Sequence, residues 1–145
     1  MLIRDYRRDD YPGLVSLWQS TGLGNPERGD NEEVIDRCNA MGGRLLVMVD
    51  ETSGRLVGSS WMTFDGRRMF LHHFGIAPDL QNRGLGKKLL EATLLHLKEK
   101  GHQVKLEVHS ENHAAIHLYK TAGFFDFQDY DIFMIRNIKE VNYHP

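Results

Sequence analysis

The stretch Gln81–Lys88, with the sequence Gln-Asn-Arg-Gly-Leu-Gly-Lys-Lys, constrains the fold more than any other part of the chain. It follows the apolar run Met69–Pro78, which predicts a strand that a proline ends. It also opens the strongest helical pattern, with leucines on one side at 85, 89, 90, 94 and 97. Glycines let a ligand approach the backbone, and the free N–H groups of a first helical turn favour an anion. The spacing therefore predicts a phosphate-binding turn between a strand and a helix.

The other patterns predict one α/β domain over residues 1–145, with the order β-α-α-β-β-β-α-β-α-β-β. Tight turns join the three middle strands, so these strands should be antiparallel. The strand–helix–strand unit around Gly84 is long enough for a right-handed parallel crossover. We expect a mostly antiparallel mixed sheet with helices on both faces. The predicted strands are Leu2–Arg7, Arg44–Val49, Leu56–Phe64, Met69–Ile76, Gln103–His109, Phe124–Phe127 and Tyr130–Ile135.

Composition narrows the class of protein. The 145 residues are 41% apolar and carry a net charge of −2, so they lack the basic excess expected of a nucleic-acid-binding protein. No apolar run approaches the roughly 20 residues of a membrane span, and the charged N-terminus does not resemble a signal peptide. The single cysteine, Cys38, indicates a reducing compartment and has no nearby ligand partners for a metal. We expect a cytoplasmic protein without a metal site that binds neither nucleic acid nor membrane.

Two common phosphate-binding motifs do not fit the glycine turn. A P-loop requires a hydroxyl residue after its lysine to hold Mg²⁺, but Lys87 is followed by Lys88. A dinucleotide fingerprint requires a third small residue where this chain has Leu89. The motif therefore supports neither nucleoside-triphosphate chemistry nor hydride transfer.

The turn instead resembles an acetyl-CoA motif. Gln81–Gly86 matches every specified position of the Q/R-x-x-G-x-G/A motif of the GNAT N-acetyltransferase superfamily. Leu106–Val108, Asn112 and Leu118–Phe124 resemble the second signature of that superfamily, especially in the ribosomal-protein-alanine N-terminal acetyltransferases. This resemblance implies an enzyme that transfers acetyl from acetyl-CoA to an amine by direct attack in a ternary complex. A non-catalytic acyl-CoA-binding or sensing domain on the same fold is the alternative.

The resemblance also implies where acetyl-CoA would bind. The pyrophosphate would lie on the N–H groups of Arg83–Lys88, and the pantetheine arm would run along β-strand Met69–Ile76 where it splays from Gln103–His109. An N–H near Ile76 would polarise the thioester carbonyl. Asn112 would both cap its helix and contact the arm. The expected contacts are Phe74, Gly75, Ile76, Gln81, Arg83, Gly84, Leu85, Gly86, Lys87, Lys88 and Asn112.

Tyr119 and Glu107 are the expected catalytic residues. The resemblance implies that Tyr119 protonates the departing thiolate, since a phenol titrates near ~10 and is protonated at neutral pH. It also implies that Glu107 is the base, although a solvated carboxylate gives the same pattern. His72 or His73 is a second possible base. Strand alternation predicts that these two histidines point to opposite faces, so that at most one faces the cleft.

The acceptor side carries less information. In families of this shape the first two helices and their loop wall the acceptor pocket, which here means Trp18–Met41, with an acidic bias that suits a cation. The expected acceptor contacts are Trp18, Asn25, His72 and His73. Deprotonating a lysine amine at pH ~7.5 costs about 4 kcal/mol, whereas an α-amine costs only a few tenths. We expect a small amine or a peptide N-terminus as the acceptor, and a lysine or polyamine would need Glu107 or a histidine to do more. Tyr130–Ile135 is a candidate edge for a homodimer.

Overall fold

Five strands form one mixed sheet. The computed structural model describes residues 1–142. The strands are β1 Leu2–Asp5, β2 Arg44–Val49, β3 Leu56–Phe64, β4 Met69–Ile76 and β5 Val104–Leu106, and the helices are α1 Tyr11–Ser20, α2 Glu32–Ala40, α3 Leu85–Lys100 and α4 His113–Thr121. The strands lie in the order β1-β2-β3-β4-β5, and every neighbouring pair is antiparallel except the parallel β4–β5 pair. The predicted mixed sheet and its parallel crossover are confirmed.

Helices α1 and α3 cover opposite faces of the sheet. Trp18 of α1 donates its indole N–H to Ser59 of β3 at 3.0 Å. On the next residue of β3, the Ser60 hydroxyl lies 2.8 Å from that of Thr93 on α3. Because successive strand residues point to opposite faces, the two contacts fix the two helices on opposite sides. All four side chains are buried, so these hydrogen bonds join the layers inside the core.

Glycines set both ends of α3. Gly84 precedes the helix with a φ of 75°, and Gly101 follows it with a φ of 70°. These left-handed angles are strained for a residue with a Cβ, so they explain why the two glycines punctuate the helix. The observed range Leu85–Lys100 agrees with the leucine pattern.

The β4–β5 ladder is short. Only Met69–Leu71 pairs with Val104–Leu106, and β5 ends there. The predicted strand over Gln103–His109 is therefore shorter than expected. From His72 onward, β4 has no strand partner on its β5 side within residues 1–142. Strands β4 and β5 separate at this point, which leaves a gap beside the second half of β4.

The predicted last two strands are wrong. Neither Phe124–Phe127 nor Tyr130–Ile135 is in a strand, and most of their large apolar side chains are exposed. Their apolar residues fit a strand pattern, but the three-residue β5 offers too short an edge to pair with. A hairpin without a longer sheet to join is only marginally stable. The proposed dimer edge at Tyr130–Ile135 thus loses its structural basis.

No helix in the described part of the chain combines the length and apolar character needed to cross a membrane.

Candidate active site

The glycine turn leaves backbone N–H groups free at the start of α3. The first hydrogen bond of α3 runs from the Lys88 N–H to the Gly84 carbonyl at 3.2 Å. The N–H groups of Leu85, Gly86 and Lys87 precede this bond, so they are free of the helix ladder. The Gln81 side-chain amide donates to the Ile76 carbonyl at 3.0 Å and ties the turn to the end of β4. Free N–H groups and the helix dipole together favour a phosphate here.

Three cations surround this turn. Arg83, Lys87 and Lys88 are all exposed, so their charged groups reach solvent around the start of α3. Gly84 has the positive φ noted above, and Asn82 has a φ of 61°. Asparagine tolerates this conformation better than most residues with a side chain. The turn is thus shaped by backbone geometry, with flexible cations at its rim.

Tyr119 lies against the gap beside β4. Its ring packs edge-on against Phe74 and against Phe124, with ring centroids 5.7 Å apart in both pairs. The residue is only 7% exposed, and this burial raises the pKa of its phenol well above the usual value. Its hydroxyl makes no hydrogen bond within residues 1–142. The group is therefore a protonated phenol with its donor unused, which is the state that a general acid requires.

Asn112 caps α4. Its side-chain oxygen accepts the Ala115 N–H at 3.2 Å, as expected for an N-cap asparagine. This contact fixes the start of the helix that carries Tyr119.

A β-bulge in β4 places His72 and His73 on the same face of the sheet. Ser59 pairs with Gly75 and Trp61 pairs with His72, so His73 and Phe74 both lie opposite Ser60. One extra residue shifts the alternation of side chains. His73 takes up the bulge with a φ of 43°, a strained value for a residue with a side chain. The prediction that His72 and His73 point to opposite faces is wrong, because both lie on the α1 side.

The two histidines enter an aromatic cluster on that side. The His73 ring lies 4.3 Å from Trp18 and 5.4 Å from Trp61, measured between ring centroids. The His72 ring lies 6.3 Å from Trp61, and its Nε2 lies 2.9 Å from the Thr63 hydroxyl. The bulge thus places two imidazoles beside two indoles.

Asp30 is the acidic partner of His73. One of its carboxylate oxygens lies 3.1 Å from His73 Nε2, and the two side chains are 20% and 7% exposed. Sequence analysis missed this pair because Asp30 stood only as part of a general acidic bias. It also missed Ser59, whose hydroxyl donates to the His73 carbonyl at 2.7 Å. Neither contact has a local signal, since each joins residues far apart in the chain.

Glu107 directly follows the end of β5 and is exposed. Leu106 pairs with Leu71, so Glu107 comes level with His72, the next residue of β4. Part of the His72 ring reaches solvent, but removal of water from the rest lowers its pKa, and the neighbouring His73 lowers it further. The charges of Asp30 and Glu107 act in the opposite direction. His72 is therefore neutral at pH 7 and Glu107 is close enough to influence it.

A small cleft joins three of the four expected acceptor contacts. Its volume is about 170 Å³, and Trp18, Asn25 and His73 line it together with Asp30. Asn25 accepts the Glu27 N–H at 2.9 Å and shapes the adjoining loop. His72 does not line this cleft. A larger cleft of about 490 Å³ lies between α1 and the β2–β3 turn, but no expected site residue lines it.

No group of three or more histidine, cysteine, aspartate or glutamate side chains within residues 1–142 is arranged to hold a metal ion.

The family model described as the acetyltransferase (GNAT) family matches residues 3–124. The chain belongs to the GNAT acetyltransferase family. Over 131 residues it is 34% identical to a mycothiol acetyltransferase of Propionibacterium freudenreichii, covering 82% of this chain and 41% of the relative. The GNAT domain thus spans about two-fifths of the length of that curated relative.

Two solved structures share the fold. A GNAT-family acetyltransferase from Staphylococcus aureus Mu50 superposes with a TM-score of 0.77 at 19% identity, covering 88% of this chain and 85% of that one. The ribosomal-protein-S18-alanine N-acetyltransferase of Escherichia coli superposes with a TM-score of 0.70 at 23% identity, covering 84% and 76%. At these identities the likeness concerns the fold alone.

Within the GNAT domain, residues expected at the donor site and at the acceptor site lie next to each other on one strand. Phe74 contacts Tyr119 on the side of α4, whereas His73 contacts Trp18 on the side of α1. The glycine turn follows the end of the same strand. A ligand that enters the gap beyond Leu71 would therefore meet the phosphate turn, the phenol and the bulge in one region.

Proposed function

We propose that this protein transfers an acetyl group from acetyl-CoA to an amine by direct attack in a ternary complex. The observation that carries the proposal is the placement of Tyr119. A buried, protonated phenol with an unused donor borders the gap beside β4, next to an anion site at the start of α3. A sensing domain would need the anion site but not this donor.

The chain's own groups fit acetyl-CoA. The free N–H groups of Leu85, Gly86 and Lys87 would hold the pyrophosphate, and Lys87, Lys88 or Arg83 would meet the remaining phosphates. The unpaired edge of β4 from His72 to Ile76 would hold the pantetheine amides as a strand does. Phe74, Gly75, Gln81, Gly84 and Asn112 complete the expected donor contacts.

Acetyl-CoA supplies a thioester whose carbonyl carbon accepts the amine nitrogen. The N–H groups near Ile76 would stabilise the negative charge on the carbonyl oxygen. Tyr119 would give its phenolic proton to the departing thiolate. Glu107, or His72 through a water, would take the proton that the amine loses, since both lie on the acceptor side of the gap.

The acceptor is a small amine or a peptide N-terminus that enters from the α1 side. Trp18, Asn25 and His73 would line its path, and His72 would lie beside the reacting end. An acceptor amine of low pKa needs little help from a base, whereas deprotonating a lysine amine at pH ~7.5 costs about 4 kcal/mol. We further propose a cytoplasmic location, supported by the single Cys38.

Thiol release tests the proposal. The protein would be incubated with acetyl-CoA and a panel of small amines, lysine peptides and N-terminal peptides, while free CoA thiol is recorded. We expect release that depends on at least one amine, together with an acetylated product in the mass spectrum. Tight binding of acetyl-CoA without amine-dependent release for any acceptor would instead indicate a sensing domain.

A further inference from the structure

Asp30 gives the 170 Å³ cleft its electrostatic character. Among the residues that line the cleft it is the only carboxylate, and the others are aromatic, apolar, amide, glycine or histidine. One carboxylate oxygen contacts His73 Nε2, and the side chain is 20% exposed. The carboxylate therefore has one oxygen held by the protein and remains accessible from the cleft.

His73 meets this carboxylate through one nitrogen of its ring. Its side chain is 7% exposed, and its Nδ1 is buried without a hydrogen-bond partner within residues 1–142. Nε2 lies 3.1 Å from the Asp30 carboxylate oxygen, so the contact with Asp30 is made at that end of the ring. The buried ring thus holds one oxygen of Asp30 and leaves the other free for a ligand.

No lysine or arginine in the described part of the chain lines the cleft. Arg28 lies on the same loop, but its guanidinium donates to the Leu23 carbonyl at 2.9 Å and does not line the cleft. The Asp30 carboxylate therefore faces the cleft without a basic side chain of that kind beside it.

The strained backbone of His73 is held in place from both sides. Ser59 donates to the His73 carbonyl at 2.7 Å and accepts the indole N–H of Trp18 at 3.0 Å. A φ of 43° persists only where the surrounding structure enforces it, and such strain concentrates at functional sites. These contacts fix the ring that orients Asp30.

We propose that Asp30 binds the positive charge of the acceptor and that His73 is the positioning residue that fixes its carboxylate. This inference rests on the proposed function and names its substrate class: amines that are cationic at neutral pH and carry no negative group next to the nitrogen. The rings of Trp18 and Tyr11 on the cleft wall add a favourable surface for a cation. An amine with an adjacent phosphate would be repelled.

Binding of two probes of equal size tests the charge preference without acetyl-CoA. Benzylammonium and neutral benzyl alcohol would be titrated into the full chain, with tryptophan fluorescence and proton NMR of the indole signals as readouts. We expect benzylammonium to bind about tenfold more tightly, and Asp30→Asn to remove this difference. The control Glu27→Gln, an exposed carboxylate on the same loop outside the cleft, should retain it. No preference for the cation in the unaltered protein, or a preference that Asp30→Asn retains, would overturn the inference.

His73 variants test the positioning role. His73→Gln keeps an amide N–H where Nε2 lies, whereas His73→Leu removes the donor. We expect the glutamine variant to retain most of the charge preference and the leucine variant to lose it, with acetyl-CoA affinity and thermal melting showing that both fold. Equal loss in both folded variants, or loss in neither, would contradict the role.

The transfer assay distinguishes failure of the proposed function from failure of the Asp30 site. In the transfer assay, Asp30→Asn should raise the KM for the best amine about tenfold and change kcat little. Cation binding without acetyl transfer in the unaltered protein would refute the acetyltransferase and leave the Asp30 site standing. Acetyl transfer with a KM that Asp30→Asn does not alter would support the acetyltransferase and refute the Asp30 site.

Discussion

Tyr119→Phe removes one oxygen atom and tests the acid directly. Because the phenolic hydroxyl makes no hydrogen bond within the described residues, its loss strands no buried partner. The ring contacts with Phe74 and Phe124 persist in the variant. We therefore expect the free energy of unfolding to change by less than about 1 kcal/mol, and acetyl-CoA affinity to stay the same.

The expected loss of kcat is about 100-fold, or ~2.7 kcal/mol of barrier. This lies at the low end for general acids, because a thiol with a pKa near ~8.5 is already a fair leaving group at pH ~7.5. The raised pKa of Tyr119 keeps the phenol protonated beyond pH ~10, where an ordinary tyrosine ionises. The acid function should therefore not decline on the alkaline side up to that pH.

The assay measures thiol release at saturating amine, with acetyl-CoA affinity determined by calorimetry. Tyr130→Phe is the matched control, since Tyr130 is 74% exposed and has no part in the proposed mechanism. An unchanged kcat in Tyr119→Phe would show that the hydroxyl does not take part. A fall in acetyl-CoA affinity matching the fall in kcat/KM would show that the residue serves binding and refute its role as an acid.

Ser59→Ala should lower the free energy of unfolding by about 1–3 kcal/mol, because it leaves the buried indole N–H of Trp18 without an acceptor. Ser60→Ala should lower it less in the same denaturant titration, because Thr93 keeps its hydrogen bond to the Leu89 carbonyl. Equal costs would count against the hydrogen-bond account. Replacing Lys87 and Lys88 with glutamine should weaken CoA binding and flatten its salt dependence in calorimetry; an unchanged slope would contradict their placement. Stability should fall above pH ~10, because the raised pKa of Tyr119 means that the unfolded chain ionises first, and Tyr119→Phe should reduce that fall in thermal melts.

The order of elements was predictable as far as α4 because it depends on local signals. Glycines at 84 and 101 bound the longest helix, and the leucine pattern between them identifies its buried face. The final hairpin was not predictable from the same kind of signal. Phe124–Phe127 and Tyr130–Ile135 carry apolar residues at strand spacing, but a strand also needs an edge to pair with, and that edge depends on where β5 ends.

The candidate site shows the same division. The glycine turn was predicted from spacing within one segment, and the roles of Tyr119 and Asn112 were predicted from the resemblance of one segment to a family signature. The pair of Asp30 and His73 was not, since it joins a loop to a strand and depends on the bulge. Trp18 was predicted as an acceptor contact, but its hydrogen bond to Ser59 requires knowledge of how α1 crosses the sheet.

The bulge at His73 divides β4 into two halves with different surroundings. Before it, β4 pairs with β5 as far as Leu71 and belongs to the ordinary sheet. After it, the backbone edge is unpaired on that side, so the same residues that approach the glycine turn are available to a ligand. The extra residue also keeps His72 and His73 on the α1 side, whereas Phe74 contacts Tyr119. Strict alternation would turn one histidine to the other face of the sheet. A single inserted residue therefore places both imidazoles on the α1 side, where His73 meets Asp30.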